Sequence, residues 1–321
     1  MSDLSFIIPC YKSERTIEKV VLEILESEFV QSFAQYEIIM VDDGSPDKVY
    51  DIMEKMTNKD KRIKAVRLLK NFGQHAAMMA GLKYSSGDIC VLLDDDGQCP
   101  VDYLKELVSP LYEGYDVSIA QYEKKKQGVI KNVGSIFNNS ISNLMLVKPK
   151  SIQMSNYVAV KRVVVDEMLR YEGPFPYFAG LLFRSSGRVK NVPMDERERT
   201  EGRTTYTFRK LVSMWADGFT AFSIKPLRIA SVLGACISFS GFLYAIILII
   251  NKLIHPSITM GWSSIMSVQL IIGGLILLVL GMAGEYIGRI YMTINQTPQY
   301  VVKNLLNIEK PVMETDDLLV K

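Results

Sequence analysis

Residues 90–100 read "CVLLDDDGQCP", an apolar run that passes directly into three consecutive carboxylates, a glycine and a glutamine. Strands buried on both faces of a sheet read as continuous apolar runs of this kind. The acids at its end repel one another unless something is shared between them, and a solvated acidic turn is the plain alternative. Three other segments read as β-runs: "LSFIIPCY" (4–11), "YEIIMVDDGSPD" (36–47, ending in a polar cluster) and "IKAVRLL" (63–69). Between the first two, "TIEKVVLEILES" places Ile17, Val20, Val21, Ile24 and Leu25 at helical spacing. "DKVYDIMEKMTN" (47–58) also reads as helix, and "KNFGQHAAMMAGLKYSSG" (70–87) as a loop opening one. Strand and helix alternate, which predicts an α/β domain with a mostly parallel sheet and helices on both faces. Ligands bind beyond the carboxyl ends of such strands. The polar clusters at Pro9–Tyr11, Asp42–Ser45 and Asp94–Gln98 all fall at those ends.

Carboxylates from distant segments offset their repulsion by sharing a divalent cation and its phosphate ligand. A nucleotide diphosphate held through Mg²⁺ or Mn²⁺ fits this pattern better than a bare metal store. Neither GxGxxG nor GxxxxGK[ST] is present, which removes the main signature of a dinucleotide dehydrogenase and of a P-loop nucleotidase.

The 321 residues allow one large domain or two ordinary ones, and 48% apolar residues supply a core. Thirty-seven Lys and Arg against 35 Asp and Glu leave a net +2, so no global field suggests nucleic-acid binding. Cys10, Cys90, Cys99 and Cys236 form no CxxC pair, and only His75 and His255 are available as imidazoles. A disulfide scaffold and a Cys/His zinc site are both disfavoured, in keeping with a reducing compartment.

Residues 229–250 and 261–284 are two stretches of 22 and 24 residues without a charge, each long enough to span a hydrocarbon core of about 30 Å. The N-terminus, "MSDLSFIIPCY", lacks a basic n-region and meets Pro9 early, so no signal peptide is predicted. Arg209, Lys210, Lys225 and Arg228 precede the first span, Arg289 and Lys303 follow the second, and the connecting loop holds Lys252. The excess of basic residues at the outer ends predicts a multi-pass anchor in the cell (inner) membrane with the catalytic domain and both termini cytoplasmic. The expected organisation is a cytoplasmic α/β domain over 1–205, a juxtamembrane amphipathic helix over 206–226, a two-helix transmembrane hairpin over 227–288 and a cytoplasmic tail over 289–321. In the second of these, Phe208, Leu211, Val212, Trp215 and Phe219 share a helical face beside Arg209 and Lys210, as an interfacial helix or one packed on the domain would.

Seven segments in order, "IIPCYKSE", "VDDGSPD", "LLKNFGQHAAMMAGL", "LLDDDGQCP", "ERTEGRTTYTFRKL", "DGFTAFSIKPLR" and "GEYIGRIY", resemble the family 2 glycosyltransferases with the GT-A fold, a Rossmann-like nucleotide-diphospho-sugar transferase fold. More narrowly, the chain is similar to the polyprenyl-phosphate glycosyltransferases, the group of dolichyl-phosphate mannose synthase and the bacterial bactoprenol glucosyl transferases. The resemblance implies that Pro9 and Tyr11 line the first nucleotide-contacting loop and that Asp42, Asp43, Gly44 and Ser45 hold base and ribose. Asp94, Asp95 and Asp96 match the DxD region: Asp94 and Asp95 are assigned to the nucleotide sugar, Asp94, Asp96 and Gln98 to the metal, and Asp96 with Arg199 to catalysis. Arg199 and Arg203 match positions that suit an acceptor phosphate, whereas Arg197 does not. The partners implied are a UDP- or GDP-linked sugar, a polyprenyl phosphate lipid, the bilayer and further copies of the chain.

The chain departs from the pattern in several places. Lys12 and Ser13 stand where relatives often carry Asn and Glu, Asp95 and Gly97 replace a small residue and a leucine, and Glu196 replaces a histidine. Asn156 occupies a position that is often acidic and is discussed as a base. A lipid phosphate, with a second pKa near 6, is largely ionised at neutral pH and needs little proton abstraction, whereas a sugar hydroxyl needs a base far more. The expected reaction is therefore inverting transfer of one sugar to a polyprenyl phosphate, probed against two rivals: transfer to a hydroxyl in cell-envelope polysaccharide synthesis, and a non-catalytic nucleotide-sugar-binding scaffold. A processive synthase is disfavoured because neither Trp215 nor Trp262 sits in a (Q/R)xxRW motif. Two spans almost free of charge offer no polar pathway for a channel.

Overall fold

The computed structural model describes residues 3–122, 152–195, 197 and 261–308, with single helical positions between Val232 and Ile254. The chain divides into two compact units, one formed by Met1–Thr205 with Thr297–Lys321 and the other by Tyr206–Gln296.

The first unit is built on an eight-stranded sheet. The four expected β-runs are β1 (Leu4–Cys10), β2 (Tyr36–Asp42), β3 (Ile63–Leu68) and β4 (Ile89–Leu92). They lie in the order β4-β1-β2-β3 and are mutually parallel. All seven residues of β1 and all four of β4 are buried, as helices on both faces require. Alternation then divides the two faces: Phe6, Ile8, Ile38 and Met40 pack with α1 (Ile17–Glu26) and α3 (Val49–Lys59), while Ile39, Val41, Val66 and Leu68 face α4 (Gln74–Lys83). A short helix, α2 (Glu28–Gln31), follows α1. On the α4 face Gly81 permits a close approach, since a Cβ there would lie 2.4 Å from Ile7 Cγ2.

Beyond β4 come α5 (Leu104–Tyr112), β5 (Val117–Tyr122), β6 (Val158–Lys161), α6 (Arg162–Leu169), α7 (Phe178–Ser185) and β7 (Val189–Met194). β6 runs antiparallel to both β4 and β5, and β7 runs parallel to β5. Pairing of Leu92 with Val158 closes the β4–β6 ladder at the end where the DDD cluster begins.

The second unit contains α8 (Trp262–Ile294). Within it, Ile271–Ile294 is the one helical stretch among the described residues long and apolar enough to cross a membrane, and none of it is buried. The described positions of the first apolar stretch are helical, and Val232, Leu243 and Ile250 among them are exposed. The juxtamembrane segment 206–226 lies outside the described residues.

The segment after α8, expected only as a tail, contains a strand. It returns to the first unit as β8 (Val302–Leu306), antiparallel to β3 at the sheet edge. Tyr300, Val302, Leu305 and Ile308 pack on the α4 face with Phe72 and Tyr84. Asn307, at φ 56°, donates through Nδ2 to the carbonyls of Thr57 (2.6 Å) and Ile63 (2.8 Å). The α/β unit is thus discontinuous in sequence, interrupted by the segment that carries the apolar helix.

Candidate active site

Four loops leave the carboxyl ends of β1, β2, β3 and β4 side by side, and their polar groups bond across loops more than within them. Asp43 Oδ1 and Oδ2 accept the backbone N–H groups of Phe72 (2.7 Å) and Gly73 (2.9 Å), joining the β2 and β3 ends. Burial pushes the Asp43 carboxyl up to about 6 against those two donors, and neighbouring Asp42 pushes in the same direction. Asp42 accepts the Ser45 N–H at 2.8 Å and meets Arg67 Nε at 3.1 Å; burial still holds its pKa above the ordinary range. Ser45 Oγ accepts the Lys12 N–H at 3.1 Å, and Lys12 has a left-handed backbone at φ 61°. Asp47 and Glu14 exchange backbone bonds across the same two loops, from Glu14 N and Lys48 N, both 3.1 Å.

Gly44, at φ +62°, is where the β2 and β3 loops come closest, because a Cβ would stand 2.4 Å from the Lys70 carbonyl carbon and 2.7 Å from Asn71 N. Pro9 is buried within β1, opposite Val41. Its missing N–H falls on the β4 side, where Leu93 N–Ile7 O closes the pairing two residues earlier. Tyr11 is exposed at 44%, the most open of the expected nucleotide contacts.

The three acids point to different partners. Asp95 Oδ2 accepts the Tyr11 N–H at 3.1 Å, tying the β4 end to the β1 loop. Burial, then the charges of Asp94 and Asp96, push its carboxyl up to about 6 despite this bond. Asp94 receives Gln74 Nε2 at 2.7 Å and Asn156 Nδ2 at 3.2 and 3.3 Å. Asp96 Oδ1 accepts the Gln98 N–H at 3.0 Å, and Gln98 Nε2 reaches the Arg197 carbonyl at 3.5 Å. Sequence reasoning placed the DDD cluster but not the two amides on Asp94.

His75 is half-buried, and desolvation lowers its pKa to about 4; Nδ1 accepts the Phe178 N–H at 3.3 Å and the ring meets Tyr177 edge-on. In "NFGQH" the residues therefore divide: Phe72, Gly73 and Gln74 bond to site acids, and His75 is structural. Arg197 is also taken up, pairing with Glu23 at 2.7 Å and Asp102 at 2.5 Å. Glu196, Arg199 and Arg203 lie outside the described residues.

Among the described residues no group of three or more His, Cys, Asp and Glu side chains is arranged to hold a metal ion. Two carboxylates and an amide at one strand end are instead a partial oxygen set. Mg²⁺ and Mn²⁺ accept such a set when diphosphate oxygens and water complete the shell, so the residues present fit a cation that arrives with its nucleotide.

Residues 5–169 match the profile of Glycosyl transferase family 2, and residues 225–290 that of the GtrB C-terminal hairpin. The chain belongs to glycosyl transferase family 2. It is an enzyme of the glycosyltransferase class, with the family's GT-A α/β fold. The glycosyltransferase YkcC of Bacillus subtilis is 33% identical over 314 residues, 97% of each chain. Undecaprenyl-phosphate 4-deoxy-4-formamido-L-arabinose transferase of Proteus mirabilis is 30% identical over 318 residues, 97% of this chain and 96% of that one. Glucosyl-3-phosphoglycerate synthase from Mycobacterium tuberculosis, solved with uridine-diphosphate, matches at TM-score 0.49 and 18% identity, over 69% of this chain and 79% of the other.

Proposed function

We propose that this glycosyltransferase moves a single sugar, with inversion, from a UDP- or GDP-linked donor to a polyprenyl phosphate, in a bacterium undecaprenyl phosphate, at the cytosolic face of the cell membrane. The observation that carries the acceptor class is Asn156. Where an acid could take a proton, an amide donates to Asp94. An acceptor that is already ionised needs no base there, and a phosphate meets that condition at neutral pH. The names of relatives such as the Proteus mirabilis transferase support the same acceptor.

In this reading Asp42, Asp43 and Ser45 hold the nucleoside end, fixed by their bonds to the neighbouring loops. Asp94, Asp96 and Gln98 would hold Mg²⁺ or Mn²⁺ with the diphosphate; bound there, the cation supplies Lewis-acid stabilisation of the leaving group. Asp95 keeps the β1 loop against the DDD cluster through Tyr11 N. Arg199 and Arg203 orient the acceptor phosphate by charge-assisted bonds.

The membrane part of the proposal is a two-helix hairpin. Residues up to 205 and from 297 belong to one folded unit. A segment that leaves and re-enters a unit on one face of a bilayer crosses it an even number of times, which favours a second crossing beside α8. The match of residues 225–290 to a hairpin family supports two crossings.

The test is to incubate the purified full chain with UDP- and GDP-sugars, Mn²⁺ or Mg²⁺, and undecaprenyl phosphate, and to seek glycolipid by mass spectrometry, with its anomeric configuration by NMR. A product of inverted configuration is expected. Transfer to hydroxyl acceptors while polyprenyl phosphate is ignored would refute the proposal.

A further inference from the structure

The ladder between β4 and β6 ends with Leu92 opposite Val158. Continuing two residues past that pair on each strand, outward along β4 and backward from β6, reaches Asp94 and Asn156. Antiparallel register therefore sets these side chains against each other, and Asn156 Nδ2 donates to both Asp94 oxygens at 3.2 and 3.3 Å. From the opposite side comes Gln74, the first residue of α4, whose Nε2 donates to Asp94 Oδ1 at 2.7 Å.

We infer that Gln74 and Asn156 are positioning residues, an amide clamp that fixes the Asp94 carboxylate for a diphosphate-bound cation. The inference rests on the nucleotide-diphosphate reading of the site and deepens it. Amides suit the task because they orient a carboxylate while leaving its full negative charge for the cation. A lysine or arginine at either place would neutralise that charge, and an acid would add a repelling one. Gln74 is itself held in place: its neighbour His75 is anchored by the Phe178 N–H, and Phe72 and Gly73 just before it bond to Asp43. A continuous path of hydrogen bonds and peptide units thus runs from Asp43, at the nucleoside end, through residues 72–74 to Asp94, at the diphosphate end. On this reading Asn156, which cannot take a proton from the acceptor, serves instead to orient a carboxylate on the donor side.

The experiment uses the full-length wild type, Gln74→Ala, Asn156→Ala and the double variant, with UDP and GDP as probes. Their dissociation constants are measured by titration calorimetry in Mn²⁺ and again in EDTA, and the ratio of the two reads the cation-dependent part of binding. Each single variant is expected to shrink that ratio by about tenfold to a hundredfold, the loss that follows removal of a hydrogen bond to a charged group. The EDTA constant should stay at the wild-type value, and the double variant should fall short of the product of the singles because both amides act on one carboxylate. Gln74 is exposed, so its variant keeps the comparison meaningful even if Asn156→Ala weakens the fold. A wild-type ratio of one would overturn the cation reading of the site and this inference with it. An intact wild-type ratio that neither variant changes, or equal losses in Mn²⁺ and EDTA, would overturn the clamp alone.

Discussion

Gly44→Ala is the most direct test of the packed strand-end loops. The added Cβ would sit 2.4 Å from the Lys70 carbonyl carbon, 2.7 Å from Asn71 N and 2.8 Å from Lys70 Cα, all backbone atoms with no rotamer to move. Alanine at φ +62° costs about 1–2 kcal/mol by itself, and forcing an extra methyl into a packed position costs roughly another 1–3. The total of about 2–5 kcal/mol corresponds to a fall of about 4–20 °C in Tm for a unit of this size. If the β3 loop retreats instead, the Phe72 and Gly73 N–H groups move away from Asp43, and nucleotide affinity drops. Gly114→Ala separates the two contributions, because Gly114 also has positive φ (+102°) but nothing within 4 Å of its Cβ direction. Thermal unfolding and UDP titration of both variants give the answer. A Gly44→Ala protein no less stable than Gly114→Ala, with wild-type nucleotide affinity, would refute the close approach of the two loops.

Three further outcomes are expected. Asp43 has a folded pKa near 6 against an ordinary 3.8, so its buried charge disfavours the folded state at neutral pH and the wild type gains stability as pH falls through 6. Relative to Asp43→Asn, that gain should be on the order of 1 kcal/mol between pH 7 and pH 5 in denaturant titrations; a flat or opposite difference refutes the shift. Residues 1–205 alone should aggregate for want of β8, whereas the same piece joined to 297–308 by a flexible linker should fold, since Tyr300, Val302, Leu305 and Ile308 contribute about 3–6 kcal/mol of apolar burial. Equal solubility and Tm for the two pieces would count against that role. Arg199→Ala and Arg203→Ala should raise the KM for polyprenyl phosphate by about tenfold to a hundredfold with little effect on the nucleotide sugar. Arg197→Ala should leave that KM unchanged, because its guanidinium is engaged by Glu23 and Asp102; the opposite pattern would reassign the acceptor site.

The central strands were legible because burial on both faces demands apolar residues at every position, and a run such as "SFII" or "CVLL" has few other uses. The outer strands lack that constraint. "VKNLL" in β8 carries Lys303 and Asn304 as exposed residues, and its partner β3 lies more than two hundred residues away in the chain. Nothing local distinguishes it from a tail. The same holds within the site: Asp42, Asp43 and the DDD cluster stand out as acids after strands, yet the bond from Asn156 depends on a register that only pairing with β6 creates, and the bond from Gln74 on where α4 begins. Arg197 was hidden for the converse reason, since a charge-rich loop does not reveal which of its arginines is already paired.

The tolerance of three successive acids after the end of β4 follows from the separate donors that meet them. Unit charges 4–8 Å apart at an effective dielectric constant of 20 repel by about 2–4 kcal/mol per pair, enough to unfold a loop that offered them no compensation. Asp95, in the turn that follows β4, is met by the Tyr11 N–H of the β1 loop. Asp94 accepts from two amides and Asp96 from a backbone N–H, so each acid has hydrogen-bond donors of its own. Hydrogen bonds from neutral donors stabilise an anion without cancelling its charge. The central acid bears what remains, its carboxyl held near pH 6 by burial and by the charges on either side. Asp42, at the end of β2, is met by the Arg67 guanidinium at 3.1 Å. Keeping Asp94 and Asp96 negative and oriented makes physical sense if the countercharge is brought by the substrate.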